Sequence, residues 1–300
     1  MKLFSISCLL ALFVMGCSQS GDPLGNAKRI VFLGDSITHS GLYIGYLEAA
    51  LHETHPQAEF INLGLPSEGC TGLSEPEHPF PRPNVHERLD RVLSKADPDL
   101  VFACYGMNDG IYYPFSEERF AQYKEGINTL IEKVANQGAK LILMTPPPFD
   151  PLPLDKKGKL LPEDAPEFSW KEIYEHYDRD VIARYGKWIL QQKDRVFQVI
   201  DLHTPVTRIV QEKRNEPPDF VLSDDGVHID RMGHEFLAET IYQALYRDKL
   251  PEISATALSQ IEKQQEIMHA AWLTHVGHKR PGVEKGLPLE EAKSVAATLN

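Results

Sequence analysis

Apolar residues fall into short unbroken runs, separated by stretches in which they recur at helical spacing. Residues 28–34 (KRIVFLG) form the first run, and Gly34 closes it. Residues 59–63, 99–105, 140–145 and 195–201 repeat the pattern. Runs of this length, rich in Val, Ile, Leu and Phe, predict buried strands. Between them the spacing predicts helices over 42–55, 116–137, 171–192 and 231–246. The second of these carries its own boundary signals: Ser116 to cap it, Glu117 and Glu118 in its first turn, and Gly138 past its end. Strands alternating with helices imply a parallel sheet covered on both faces. The expected fold class is therefore α/β, a three-layer α/β/α sandwich around five parallel strands. In such sheets a ligand site lies at the carboxyl ends of the strands.

Two segments depart from the alternation. Residues 146–170 form a Pro-rich insertion. Beyond Pro251, Leu258, Ile261, Gln265, Met268 and Trp272 share one helical face, and a last short helix ends near Leu299. A helix packed back on the domain accounts for this tail, and a dimer contact is the alternative.

The chain has 300 residues, 42% hydrophobic and 25% charged, which is ordinary for a globular protein. Its 43 acidic residues exceed its 31 basic ones, for a net charge of −12. No basic run is present, so no nucleic-acid partner is expected.

At the N-terminus, Lys2 precedes an apolar run from Leu3 to Met15 that is too short to span a bilayer. It reads as a secretory leader. Val14-Met15-Gly16-Cys17, with polar residues after it, resembles a bacterial lipobox. The resemblance implies cleavage after residue 16 and lipidation of Cys17. That would give a membrane-anchored lipoprotein on the periplasmic or cell-surface side, and an ordinary cleaved leader with a chance Cys is the alternative. The expected organisation is a leader (1–16), a lipidated linker (17–27), a catalytic domain (28–250) and a helical tail (251–300). Cys70 and Cys104 remain, and an exported protein permits but does not require their pairing. His269, His275 and His278 lack carboxylate or thiolate support, so no metal is expected there.

Candidate chemistry sits in three blocks, two at strand ends and one before the last domain helix. Ser36, in Gly34-Asp35-Ser36, lies where a strand turns into a helix. Its hydroxyl would be exposed there beside the positive end of the helix dipole. Read singly, Asp-Ser at a helix start is as well explained by capping. Asn108, in Gly106-Met107-Asn108-Asp109-Gly110, follows the third strand. Asp225 and His228 precede the last domain helix, three residues apart, so the carboxylate could orient the imidazole. Asp224 is the weaker choice.

Together, in this order, these blocks resemble the GDSL/SGNH hydrolases over residues 28–248. The resemblance implies a serine esterase that forms an acyl-enzyme and needs no cofactor. Ser36 would be the nucleophile, His228 the base and Asp225 its partner. The oxyanion hole would be the Ser36 N–H, a glycine N–H from the loop after the second strand, and the Asn108 amide. In that loop Gly69 fits the family pattern better than Gly64. Arg82, Tyr112, Tyr113 and Phe115 are expected to rim the crevice, with Phe149 and Trp170 in or beside the insertion, and anchoring of the rim accounts for the aromatics equally well. With the carboxylates of residues 75–83 they suit a sugar, and an acetylated carbohydrate is the expected substrate. A lysophospholipase or thioesterase, or a non-catalytic glycan binder, is the alternative.

Overall fold

A computed structural model describes residues 22–299. The leader and Cys17 lie outside the described residues. Along the chain run β1 (Arg29–Gly34), α1 (Ser36–Ser40), α2 (Leu42–Leu51), β2 (Glu59–Asn62), α3 (Leu89–Ala96), β3 (Leu100–Cys104), α4 (Glu117–Asn136), β4 (Lys140–Met144), α5 (Leu152–Asp155), β5 (Leu160–Leu161), β6 (Ile173–Tyr174), α6 (Ala183–Ile189), β7 (Gln198–Ile200), α7 (His203–Lys213), α8 (Arg231–Tyr246), α9 (Ala255–Val276) and α10 (Leu289–Ala297).

Five strands form one parallel sheet in the order β2-β1-β3-β4-β7. Successive side chains of each strand point to opposite faces. Val31, Leu33, Val101, Ala103, Leu141 and Leu143 pack on one face against residues of α3 and α4. Ile30, Phe32, Leu100, Phe102, Ile142 and Met144 pack on the other against α2, α7 and α8. Burial on both faces is why these strands read as unbroken apolar runs. Phe32 and Phe102, paired across β1 and β3, stack at 4.7 Å between ring centroids. Cys70 and Cys104 are free and buried in the two opposite hydrophobic clusters, so the sheet separates them.

The helix expected over 171–192 begins later. Ile173 and Tyr174 instead form β6, paired in parallel with β5 from the insertion. A π-helical turn (Asp178–Ile182) then leads into α6. Helical spacing was present from residue 171, but the hydrogen bonds of Ile173 and Tyr174 to Lys159 and Tyr112 prevailed. The helices α3 and α7 were not anticipated.

The tail closes an exposed edge. Strand β2 ends the sheet, leaving main-chain groups that need a partner or a cover. Helix α9 lies along it. Gln265 Nε2 donates to the Phe60 carbonyl at 2.9 Å, and Trp272 Nε1 donates to Glu59 Oε1 at 3.1 Å. Leu258 and Trp272 are buried, and α10 packs on α9. Among the described residues no helix is long and apolar enough to cross a membrane.

Truncating Trp272 should therefore behave as a core deletion. Trp272→Ala is expected to cost about 3–5 kcal/mol of unfolding free energy in a urea titration. A loss below about 1 kcal/mol would show that the tail is not part of the folded unit.

Candidate active site

Three loops at the carboxyl ends of the strands build the site. The first is the turn from β1 into α1. Asp35 is the N-cap: its Oδ1 accepts from the Ile37 N–H at 2.9 Å. Burial pushes its carboxyl up to about 6. Because Asp35 performs the capping, Ser36 does not have to. The Ser36 hydroxyl makes one bond, to His228 Nε2 at 2.9 Å. Its N–H, in the first turn of the helix, has no helical acceptor.

The second loop precedes α8. Asp225 Oδ1 accepts from the Ser223 hydroxyl (2.9 Å), the Val227 N–H (2.9 Å) and the His228 N–H (2.8 Å). These bonds fix the carboxylate rotor and aim Oδ2 at His228 Nδ1, 2.6 Å away. Nδ1 therefore carries the proton and Nε2 presents a lone pair to Ser36. The bond to Asp225 raises the His228 pKa above its ordinary value. Burial works to raise that of Asp225, but the bonds from His228 prevail and hold it below the usual carboxylate range. Asp224 takes no part; its carbonyl accepts from Lys157 Nζ at 2.5 Å. The imidazole is reachable from solvent, with 55% of its side chain exposed.

The third element is Asn108. Its Oδ1 accepts from Arg82 Nη1 (2.9 Å) and the Tyr112 hydroxyl (3.0 Å), and its Nδ2 donates to the Glu68 carbonyl (3.0 Å). Two donors on the oxygen side fix which way the amide faces. One Nδ2 hydrogen stays uncommitted.

The expected glycine donor requires correction. The Gly69 N–H is spent on the Pro83 carbonyl at 3.0 Å, and that of Gly64 on Asn62 Oδ1 at 2.9 Å. Gly69 is needed for space: a Cβ there would lie 2.7 Å from Asp109 Oδ1. Within residues 63–71 the amide left without an acceptor is that of Ser67, whose φ is 65°. Two anchors tie the flanks of Ser67 to the end of β1 and to Asn108. The Leu65 N–H donates to the Gly34 carbonyl at 2.9 Å, and the Glu68 carbonyl holds Asn108. Sequence reasoning missed Ser67 because a left-handed position usually announces itself as glycine.

Part of the expected rim is interior. The Arg82 side chain is only 3% exposed and its fork grips Glu75 at 2.7 and 2.6 Å. Tyr112 and Phe149 are also buried. Tyr113 and Phe115 are half-buried and Trp170 is exposed. A second buried fork, Arg88 on Glu68 at 2.7 and 2.6 Å, holds the same loop from beneath. The insertion supports the His228 loop. The Asp150 N–H donates to the Gly226 carbonyl at 2.9 Å, and Arg214 holds the Asp150 carboxylate at 2.5 Å.

No group of three His, Cys, Asp or Glu among the described residues could hold a metal ion. His269 instead donates to the Gly64 carbonyl at 3.1 Å.

A hydroxyl, an imidazole and a carboxylate in series, at the strand ends of a three-layer α/β/α sheet, define a serine hydrolase acting on carboxylic esters. The chain belongs to the GDSL-like lipase/acylhydrolase family, whose model matches residues 32–236. No curated protein matches the chain in sequence. Among solved structures it is similar to the acetyl xylan esterase AlAXEase: 21% identity, TM-score 0.52, covering 72% of this chain and 99% of that one. It is also similar to a variant of Axe2, an acetyl xylan esterase from Geobacillus stearothermophilus: 18% identity, TM-score 0.55, covering 77% and 100%. A gut microbial diltiazem-metabolizing enzyme is 20% identical with TM-score 0.55 over 73% of this chain, but the chain spans only 47% of that protein's length. At these identities the likeness shows a shared fold.

Gly226 tests the support of the His228 loop. Its φ is +79°, and an added Cβ would lie 2.2 Å from the Asp150 carbonyl oxygen. A displacement of about 1 Å at His228 can cost about 100-fold in rate. Gly226→Ala is expected to lower kcat/KM on p-nitrophenyl acetate by that order while the circular dichroism spectrum is retained. A rate near wild type would show that the loop has room to spare.

Proposed function

We propose that this chain removes O-acetyl groups from a carbohydrate through an acyl-enzyme on Ser36. The observation that carries the reading is the series Ser36 Oγ–His228 Nε2–Asp225, at 2.9 and 2.6 Å. His228 takes the hydroxyl proton as Ser36 Oγ bonds to the ester carbonyl carbon. The charge on the carbonyl oxygen is received by the Ser36 and Ser67 N–H groups and the free Asn108 Nδ2 hydrogen. Collapse breaks the bond to the sugar oxygen, which leaves with the proton from His228. Water, deprotonated by the same imidazole, then releases acetate and restores Ser36. Asp225 stabilises the imidazolium at each stage.

The carbohydrate half of the reading draws on two features. His228 and Asp225 are half-exposed, so the alcohol side of an ester meets open surface, which suits a bulky leaving group. The acetyl xylan esterases share the fold. The leader and lipobox resemblance around Cys17 support the same reading, since an exported, lipid-anchored enzyme would meet polysaccharide.

Acetate release from acetylated xylan is the direct assay. Ser36→Ala is expected to abolish it, along with labelling by a fluorophosphonate probe. Turnover confined to long-chain p-nitrophenyl esters would overturn the carbohydrate reading and favour a lysophospholipase or thioesterase. Asn108→Ala should lower kcat by about 10²–10³-fold, as loss of one oxyanion donor does.

The pH profile follows from His228. Only neutral imidazole accepts the serine proton, so kcat/KM should rise with pH through the pKa of His228. Its bond to Asp225 raises that pKa, so the acid limb should inflect above the ordinary value of about 6.5. Asp225→Asn removes the charge and should move the inflection down while lowering the rate. An unmoved inflection would mean another group titrates.

A further inference from the structure

A cavity of about 670 Å³ opens between the tail and the α1–α2 turn. Its walls include His39, Pro66, Gln265, His269, Arg280 and Val283. It lies close to the reaction centre. His39 is three residues after Ser36 on the same helix, which places their Cβ atoms about 5–6 Å apart. Pro66 adjoins Ser67.

Arg280 is unusual here. The chain carries an excess of carboxylates, yet none lies within ion-pair distance of this guanidinium among the described residues. Glu262, on the same wall, is engaged by Arg231, and Glu266 and Glu284 are exposed at the margin. The guanidinium stacks on Phe80, 4.9 Å from the ring centroid, which fixes its plane. Its Nη1 donates to the Pro281 carbonyl at 2.6 Å, its Nε is buried without an acceptor, and its Nη2 has no partner among the described residues. A buried donor left unmatched is costly, and a charged one more so. Burial accordingly lowers its pKa. The two histidines are spent differently. His39 Nδ1 and His269 Nε2 both donate to the Gly64 carbonyl, at 3.2 and 3.1 Å. Their other ring nitrogens therefore offer lone pairs, which suit hydroxyl donors. A planar cation with Nη2 unused, beside two hydroxyl acceptors and an apolar wall, describes a site for a sugar that carries a carboxylate.

We infer that this cavity is a subsite for an acidic sugar of the substrate, with Arg280 binding its carboxylate. The inference rests on the acylated-carbohydrate reading and narrows it to polymers bearing uronic acid. Arg280 is a specificity residue, outside the reacting atoms.

The test is calorimetric binding to the folded Ser36→Ala chain of a xylooligosaccharide bearing one glucuronic acid, beside the same oligosaccharide without it. The acidic ligand should bind at least about 10-fold more tightly, as a charge-assisted hydrogen bond implies. Arg280→Gln, with an unchanged melting temperature, should erase the preference. Arg280→Lys should retain part of it, because the charge stays and the planar fork is lost. Equal affinity for both ligands, no binding of either, or a preference that survives Arg280→Gln would overturn the inference. Acetate release by the wild-type chain from a neutral acetylated xylooligosaccharide reports separately on the esterase reading. A failure of one is thus distinguishable from a failure of the other.

Discussion

One hydrogen bond organises this molecule: 2.9 Å from the Ser36 hydroxyl to His228 Nε2, between residues 192 positions apart. Neither end of that bond can be built locally. Ser36 stands at the tip of a strand with neighbours on both sides, because β1 pairs with β2 and with β3 in parallel. Parallel pairing sends every strand-to-helix turn to the same end of the sheet. The β1 turn, the loop after β2 and the Asn108 loop after β3 therefore meet there. Helix α8 packs beside α2 on one face, and its leading loop delivers His228 over that end. The hydrophobic core is thus what holds the distance, although none of its residues takes part in the chemistry.

Polar groups refine what the core sets. Each reacting side chain is oriented by partners that do not react. Three donors fix Asp225 Oδ1 so that Oδ2 faces His228. Arg82 and Tyr112 fix Asn108 Oδ1 so that Nδ2 faces the loop. Arg82 is itself held by Glu75, and the Glu68 beneath the loop is held by Arg88 and the Tyr105 hydroxyl. Burying such pairs costs desolvation that their attraction recovers only with good geometry. The forked contacts supply it. Two buried ion pairs along one loop fit a role in shaping that loop better than a role in overall stability, since apolar residues of the same volume would stabilise as well.

The tail joins these themes. By covering β2 it protects the sheet edge, and its Gln265 and His269 reach the carbonyls of Phe60 and Gly64. The second contact falls on the loop that leads to Ser67. Edge cover and site wall are therefore one structure, and the chain beyond the last domain helix bears on what lies next to Ser36.

The sequence by itself determined the sheet, its parallel sense, and the three blocks that carry Ser36, Asn108, Asp225 and His228. Period and order suffice for that, because strands buried on both faces must be apolar throughout and strand-end loops must sit together. Tertiary structure alone decided which residues around them serve. Arg82 looked like a surface cation and is interior, since burial of a charge depends on where its partner folds. Gly69 looked like a free amide, yet Pro83 accepts its proton. Ser67 did not look like a donor at all. Residues 171–177 had helical spacing but lay within reach of residues 159–161. Hydrogen-bond partners remote in sequence settle each of these, and their identity exists only once the chain is closed on itself.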